Sequence, residues 1–352
     1  MKRYCSLLLV LLLAVLSLVG CTTAPAEAPT LESPAAQAQA EAPAAEAPAA
    51  ATPAENDPSK PLAGKTIGNT IVYKGDVWCA LLAEEFEKQA IALGASITVE
   101  DGDLNAETQS KQIENMIARN VDVIFADPAT FDGCSAAFEK AEAAGIPLFT
   151  YDSAPSYPGI VTHTGWDNVE TGKMVGEYVL EWVKANIAEK PARIILLGNY
   201  ASEHTNLREE AFLKVVDANP DVLKVISRQD CEGNREKGAN AVTNIVEPFD
   251  LVVSVVDNGA WGAVSAIEAR GLTGVKVFSM GAYGDEPFQA LRDDHPIYEA
   301  CLIVDPAAIA RITLESYVKF LGGQTDFEKI TNIPLYICNT ENIKDFYSFP
   351  NG

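Results

Sequence analysis

From Gly64 onward, short apolar runs alternate with amphipathic helical stretches over almost the whole chain. Runs such as Ile194-Ile195-Leu196-Leu197 are apolar on both faces, which suits strands buried in a parallel sheet covered by helices. Repetition of this rhythm predicts doubly wound α/β domains. The spacing predicts strands over Ile67–Tyr73, Ile97–Glu100, Val121–Ala126 and Ile146–Tyr151. Helices are expected over roughly Val77–Leu93, Ala106–Arg119 and Gly133–Ala144. A long helix near Asp167–Ile187 interrupts the rhythm, and Glu189-Lys190-Pro191 ends it. Strands resume at Ile194–Gly198, Leu223–Ser227, Leu251–Val256 and Val275–Met280. Two similar halves are the simplest parsing.

The N-terminal region has a different texture. A basic start (Lys2, Arg3) leads into an apolar run from Leu7 to Val19, then Gly20 and Cys21. That order is a secretory signal peptide. The run is too short for a membrane span, which takes roughly 20 residues. Leu18-Val19-Gly20-Cys21 resembles a bacterial lipoprotein signal, and the resemblance implies a lipid on Cys21. The mature protein is then expected outside the cytoplasm, lipid-anchored to the cell membrane. Residues 22–60 are mostly Ala, Pro, Glu, Thr, Gln and Ser, with no aromatic residue. Such a segment buries too little surface to offset the entropy of ordering, so it reads as a disordered tether. The expected division is a signal peptide over 1–20 and the lipidated cysteine with its tether over 21–63.

The chain has a net charge of −23, and loss of Lys2 and Arg3 with the signal makes it more negative by two. Nucleic acid and anionic lipid surfaces would be repelled, so neither is an expected partner. Seven cysteines occur: Cys5 leaves with the signal, Cys21 is the lipid site, and Cys79, Cys134, Cys231, Cys301 and Cys338 remain. Five is an odd number and their spacing is wide, which is neither a metal-ligand pattern nor a disulfide framework. They read as small apolar core residues.

In open parallel sheets, ligands bind beyond the carboxyl ends of the strands. The segments there are Lys74–Trp78, Asp127–Phe131, Asp152–Ser153, Asn199–Asn206, Asp257–Trp261 and Gly281–Asp285. They are rich in carboxylates, amides and rings, with Lys74 the exceptional cation. Carboxylates and amides bond hydroxyls, and rings stack on the C–H face of a sugar, so a neutral polyhydroxylated solute is expected. Asp and Asn after strands also serve as helix N-caps. No phosphate loop, dinucleotide fingerprint or nucleophile elbow is present. Asp101, Asp103 and Asn105 imitate a calcium loop, but Ala106 and Gln112 stand where Gly and Glu are needed. His163, His204 and His295 have no ligand spacing, and nothing assembles a nucleophile, base and orienting group. No cofactor, no metal and no enzymatic activity are therefore expected.

Several stretches together resemble the type I solute-binding proteins of sugar importers of the ABC class, nearest in pattern to ribose- and galactose-binding proteins. They include Gln112–Asp122, Ala141–Asp152, Trp166-Asp167-Asn168 with Thr171-Gly172, Asn234–Lys237, Asp257 with Trp261–Ala263, and Asp305-Pro306. The resemblance spans about Lys65 to Gly323. It implies two doubly wound parallel-sheet lobes joined by three crossings near Trp166, Val304 and Thr331–Pro334. Lobe one would be 64–166 plus 305–332, and lobe two 167–304 plus 333–352. It also implies ligand-binding places at Asp76 and Trp78, at Asp152, at Asn206 and at Asp257. The sequence departs from the pattern: Ser153 and Asn206 stand where arginines are usual, Gly281 replaces an aspartate, Val256 an amide and Val304 a glutamine. Tyr200, Trp261 and Tyr283 lie near the same loops and suit a larger or less polar solute, such as a nucleoside or modified sugar. The expected role is capture of a sugar, nucleoside or polyol by a monomer for an ABC permease. A sensor presenting its closed form to a receptor kinase is the alternative, and a secreted enzyme a remote one.

Overall fold

A computed structural model of the chain describes residues 57–346. The expected signal peptide, Cys21 and most of the tether lie outside the described residues. The folded body begins before Gly64, where the sequence reading starts it. Leu62 is 0% exposed, and its N–H donates to the Leu93 carbonyl at 3.0 Å. One large apolar side chain among Ala, Pro and Ser is enough to pin this segment to the core.

The first sheet gathers β1 (Thr66–Ile71), β2 (Ser96–Asp101), β3 (Val123–Ala126), β4 (Leu148–Tyr151), β5 (His163–Gly165) and β11 (Ile330–Asn332). Their order is β11-β5-β4-β3-β1-β2, and every pairing is parallel. The second sheet gathers β6 (Ala192–Gly198), β7 (Leu223–Asp230), β8 (Leu251–Ser254), β9 (Lys276–Ala282), β10 (Tyr298–Ile303) and β12 (Tyr336–Asn339). Its order is β12-β10-β9-β8-β6-β7, parallel except for β12. All residues of β3, β4 and β8 are buried, as expected of strands covered on both faces. Helices α1 (Val77–Ala92), α2 (Ala106–Ala118), α3 (Ser135–Ala143) and α9 (Pro306–Leu321) belong with the first sheet. Helices α4 (Asn168–Asn186), α5 (Glu203–Ala218), α6 (Arg235–Thr243), α7 (Asp257–Ala269) and α8 (Asp285–Arg292) belong with the second.

The chain passes between the lobes three times. It leaves β5 for α4 through Trp166-Asp167, leaves β10 for α9 through Val304-Asp305, and joins β11 to β12 through 333–335. These are the two doubly wound lobes and three crossings that the sequence implies. Strands β5, β10, β11 and β12 go beyond the periodic reading. Two of them are only three residues long, and β11 is an exposed edge with no apolar run. Trp166 and Val304 belong to one apolar cluster that extends from Phe86 and Phe125 in lobe one to Leu196 and Val253 in lobe two. Within it Phe86 meets Tyr151 at 4.6 Å between ring centroids, and Phe125 meets Tyr317 at 6.0 Å. The hinge is thus anchored in packed side chains on both sides.

Helices α4 and α5 pack closely because Gly172 has no side chain. A Cβ there would lie 2.0 Å from the Arg208 carbonyl oxygen. Gly to Ala in an open helix gains about 1 kcal/mol, but this contact is with backbone and cannot swing aside. Gly172→Ala is therefore expected to lower stability by about 1–3 kcal/mol through overpacking, read by urea unfolding. Unchanged or increased stability would show that the two helices are not held at this separation.

Candidate functional site

The C-terminal ends of β1, β3 and β4 carry three aspartates, each placed by its backbone. Asp76 is the N-cap of α1: Oδ1 accepts from the N–H groups of Trp78 (2.9 Å) and Cys79 (3.2 Å). Its other oxygen accepts a bond from Asn258 Nδ2 at 3.0 Å, and Asn258 is in the first turn of α7 in lobe two. A carboxylate that caps a helix in one lobe therefore also holds the other lobe. Leu81 of α1 approaches a second lobe-two loop, that between β9 and α8, since a Cβ on Gly284 would lie 3.4 Å from Leu81 Cδ1.

Asp127 follows β3 and is 0% exposed. Its oxygens accept from Val72 N–H (3.4 Å) and Ser153 N–H (3.3 Å), and its carbonyl accepts from Gln109 Nε2 (2.7 Å). Asp152 follows β4 in a left-handed conformation, φ 56°. Its N–H donates to the Thr164 carbonyl at 3.0 Å. It retains some accessible surface although protein surrounds it closely, as befits a carboxylate in a narrow cleft. Burial raises its pKa to about 6; the charge of Arg208 opposes the rise and that of Asp76 adds to it. Burial and the neighbouring Asp152 push Asp127 up as well. Each carboxyl disfavours ionisation of the other, so the two lose their protons in separate steps.

Lobe two answers with a cation that the sequence reading did not include. Arg208, in α5, is 6% exposed. Its Nε donates to Asn168 Oδ1 at 2.7 Å and its Nη1 to the Val255 carbonyl at 3.0 Å. Burial lowers its pKa to about 10, with Asp152 acting in the opposite sense, so it stays charged at neutral pH. Its guanidinium carbon stands 5.4 Å from the centroid of Trp166 in the first crossing. Trp166 meets the edge of Trp78 at 5.9 Å, and Trp78 Nε1 donates to the Val304 carbonyl in the second crossing at 2.8 Å. The Trp166 indole N–H is buried and has no partner in the protein. Lys74 remains the one Lys or Arg in the strand-end segments, but a buried guanidinium from within α5 faces the carboxylates from the opposite lobe. The signal for it was periodicity: Thr205, Arg208, Glu209 and Phe212 fall on the buried face of α5.

The expected site residues divide into two groups. Asp76, Trp78 and Asp152 come together at the junction of the lobes. Asn206 lies two residues before Arg208, on a different face of α5, and its Nδ2 donates to the Tyr200 carbonyl at 3.2 Å, closing its own loop. Tyr200 is 42% exposed with Arg228 6.0 Å from its ring centroid. Asp257 is turned inward: Oδ1 accepts from Tyr298 Oη at 2.6 Å and Oδ2 from Trp261 Nε1 at 3.0 Å. Burial raises it to about 7. Trp261 is 8% exposed and stacked on Tyr298 at 4.7 Å. Its ring packs in the lobe-two core rather than standing open to a solute, because Tyr298 arrives on the unforeseen strand β10. His163 is buried, hydrogen-bonded to Thr150 Oγ1 at 3.0 Å and lowered to about 4 by burial. Among the described residues no group of three or more His, Cys, Asp or Glu side chains is placed to hold a metal, and no helix is long and apolar enough to cross a membrane.

The raised Asp152 has a pH consequence with a definite sign. A folded aspartate at about 6, against an ordinary 3.8, binds its proton more tightly folded than unfolded. Its contribution is favourable below the unfolded value and is lost as pH rises through that window. His163, buried as the neutral form, works the other way, so a difference between variants isolates the aspartate. Asn tolerates the left-handed backbone. Without added solute, Asp152→Asn is expected to be more stable than wild type at pH 7–8, with the gap closing toward pH 4. Urea unfolding across that range measures it; a gap independent of pH would mean that Asp152 is not held in a desolvated cleft.

Comparison with known proteins agrees with this architecture. A family model described as "Periplasmic binding protein domain" matches residues 67–325. The ribose import binding protein RbsB of Bacillus subtilis is 24% identical over 272 residues, covering 77% of this chain and 86% of that protein. A solute-binding protein of an ABC transporter from Actinobacillus succinogenes, solved with bound D-allose, superposes with a TM-score of 0.73 at 22% identity, covering 80% of this chain and 100% of that one. A fructose-binding periplasmic domain of a hybrid two-component system superposes with a TM-score of 0.69 at 19% identity, covering 80% and 92%. With the family model matching residues 67–325, most of the chain, the chain belongs to the periplasmic binding protein family.

Proposed function

We propose that this protein is an extracytoplasmic binding protein, not an enzyme, that captures a neutral sugar or sugar-like solute between its lobes for uptake by an ABC permease. The observation that carries the reading is the opposition of Asp152 in lobe one and Arg208 in lobe two. Each feels the other's charge, yet no direct hydrogen bond joins them among the described residues. A hydroxyl-bearing solute between them would donate to the carboxylate and accept from the guanidinium. The Trp166 indole N–H, which lacks a protein acceptor, would find one in the same solute. Trp78 would offer an aromatic edge or face beside it. Affinity then arises because both lobes' polar groups are satisfied together only in the closed form.

The relatives support a carbohydrate, since one is a ribose import protein and a structural neighbour holds D-allose. The organisation that goes with this role is a signal peptide over 1–20, a lipid on Cys21 and a tether that lifts a monomeric two-lobed body off the membrane. The lobes would comprise 64–166 with 305–332, and 167–304 with 333–352. Asn206, Tyr200, Asp257 and Trp261 would then shape lobe two's rim from behind rather than touch the solute in the closed form. A second reading is a sensor that presents its closed form to a receptor kinase, favoured by the likeness to a periplasmic domain of a two-component system. Neighbouring genes encoding a permease and ATPase, or instead a histidine kinase, separate the two.

A panel of sugars, polyols and nucleosides is expected to contain a solute that raises the melting temperature, since a ligand at 100 times its Kd adds about 2.7 kcal/mol. Asp152→Ala and Arg208→Met are each expected to weaken that solute by at least about 1–3 kcal/mol, the penalty for leaving a buried polar partner unsatisfied. Trp78→Ala should weaken it while leaving a folded protein. No melting shift across the panel, or full affinity in both polar variants, would overturn the proposal.

A further inference from the structure

Cys301 in β10 and Cys338 in β12 are register partners on adjacent antiparallel strands. Directly opposed residues in such a ladder have Cα atoms about 4.5–5.5 Å apart. A disulfide spans Cα separations of about 4.4–6.8 Å. Both side chains are buried, at 1% and 0% exposure. The other three cysteines of the folded body are engaged elsewhere or far from this pair. Cys231 Sγ lies 3.1 Å from the Gly198 carbonyl, Cys134 Sγ lies 3.7 Å from Gln109 Oε1, and Cys79 is in α1 of the other lobe.

We propose that Cys301 and Cys338 form an inter-strand disulfide in the mature protein, clamping the lobe-two side of the hinge. The proposal rests on the extracytoplasmic reading only for the source of oxidant, since disulfides persist in such compartments. The co-reactant is a disulfide donor, either a protein dithiol oxidoreductase or oxidised glutathione. One thiolate attacks the donor disulfide and expels a thiolate. The second then attacks the mixed disulfide and expels the other. The two cysteines lose two electrons and two protons, and the donor ends as two thiols. Because both side chains are sealed in the folded state, the bond forms as β12 docks during folding.

The position of the bridge gives it a mechanical role. β10 runs from Cys301 through Ile303 into the second crossing, and β12 begins at Tyr336, directly after the third. Ile303 and Tyr336 are themselves register partners. A covalent bond two residues back from that pair makes the two crossings leave lobe two as one unit. Lobe opening is then confined to the segments beyond Ile303 and before Tyr336. The bond also closes a long loop that includes all of α9, so it restrains the unfolded chain strongly.

The full chain is refolded from denaturant in a mixture of reduced and oxidised glutathione, alkylated, and mapped by mass spectrometry without reduction. The expected result is a peptide joining Cys301 to Cys338, with Cys79, Cys134 and Cys231 alkylated. Reductant is expected to lower the melting temperature of this protein by several degrees and to leave a Cys301→Ser/Cys338→Ser variant unchanged. Alkylation of both Cys301 and Cys338, or linkage of either to a different cysteine, overturns the proposal. The readout involves no solute, so an empty solute panel leaves the bridge standing, and a missing bridge leaves solute capture standing.

Discussion

Charge held away from water on both sides of one cleft governs this molecule. Asp127 and Asp152 sit at the tips of β3 and β4, and burial makes ionising both unfavourable. Arg208 is equally desolvated in the opposite lobe. Neither side tolerates isolation in an apolar interior, where an unpaired charge costs several kcal/mol. The two lobes set opposite charges within each other's influence, and the buried Trp166 indole N–H beside them has no partner in the protein. The cleft is therefore an unfinished polar network, which a solute rich in hydroxyls can complete.

The hinge is built to bring that network to register. Trp78 hydrogen-bonds the second crossing through its indole and touches Trp166 of the first. Trp166 in turn lies beneath Arg208. A helix-capping carboxylate, Asp76, reaches Asn258 across the junction. Each of these residues has one contact in a lobe and one in a crossing or the other lobe. The crossings and the polar groups are thereby connected directly through side chains. The close approach at Gly172 keeps α4, which starts at the first crossing, against α5, which carries Arg208.

Architecture was legible because its signal is repetitive. Runs such as Ile194–Leu197 can be buried only under helices on both faces, and many such runs in alternation leave few other folds. The short strands were not legible: His163–Gly165 is polar, and Ile330–Asn332 depends on its partner strand rather than on its own sequence. The start of the folded body is not legible in composition, which a single buried Leu62 hardly changes. In the site, Asp76, Trp78 and Asp152 could be placed because they follow strand ends, although Asp257, which also does, turns inward onto Tyr298 and Trp261. Arg208 was missed because it lies within a helix, where an arginine ordinarily faces water. Only its position on the buried face, in step with Thr205 and Phe212, marks it. Trp261 looked available because the strand that brings Tyr298 against it carries no clear apolar alternation.

A double-mutant cycle between Asp152 and Arg208 addresses the shared cleft. Affinity for the captured solute is measured by calorimetry in wild type, Asp152→Asn, Arg208→Met and the double variant. If one solute is held by both lobes, the two losses are expected to be non-additive, with a coupling of about 0.5–3 kcal/mol as found for residues in one network. Strictly additive losses would show that the two groups do not act on the same bound molecule, and would contradict capture between the lobes.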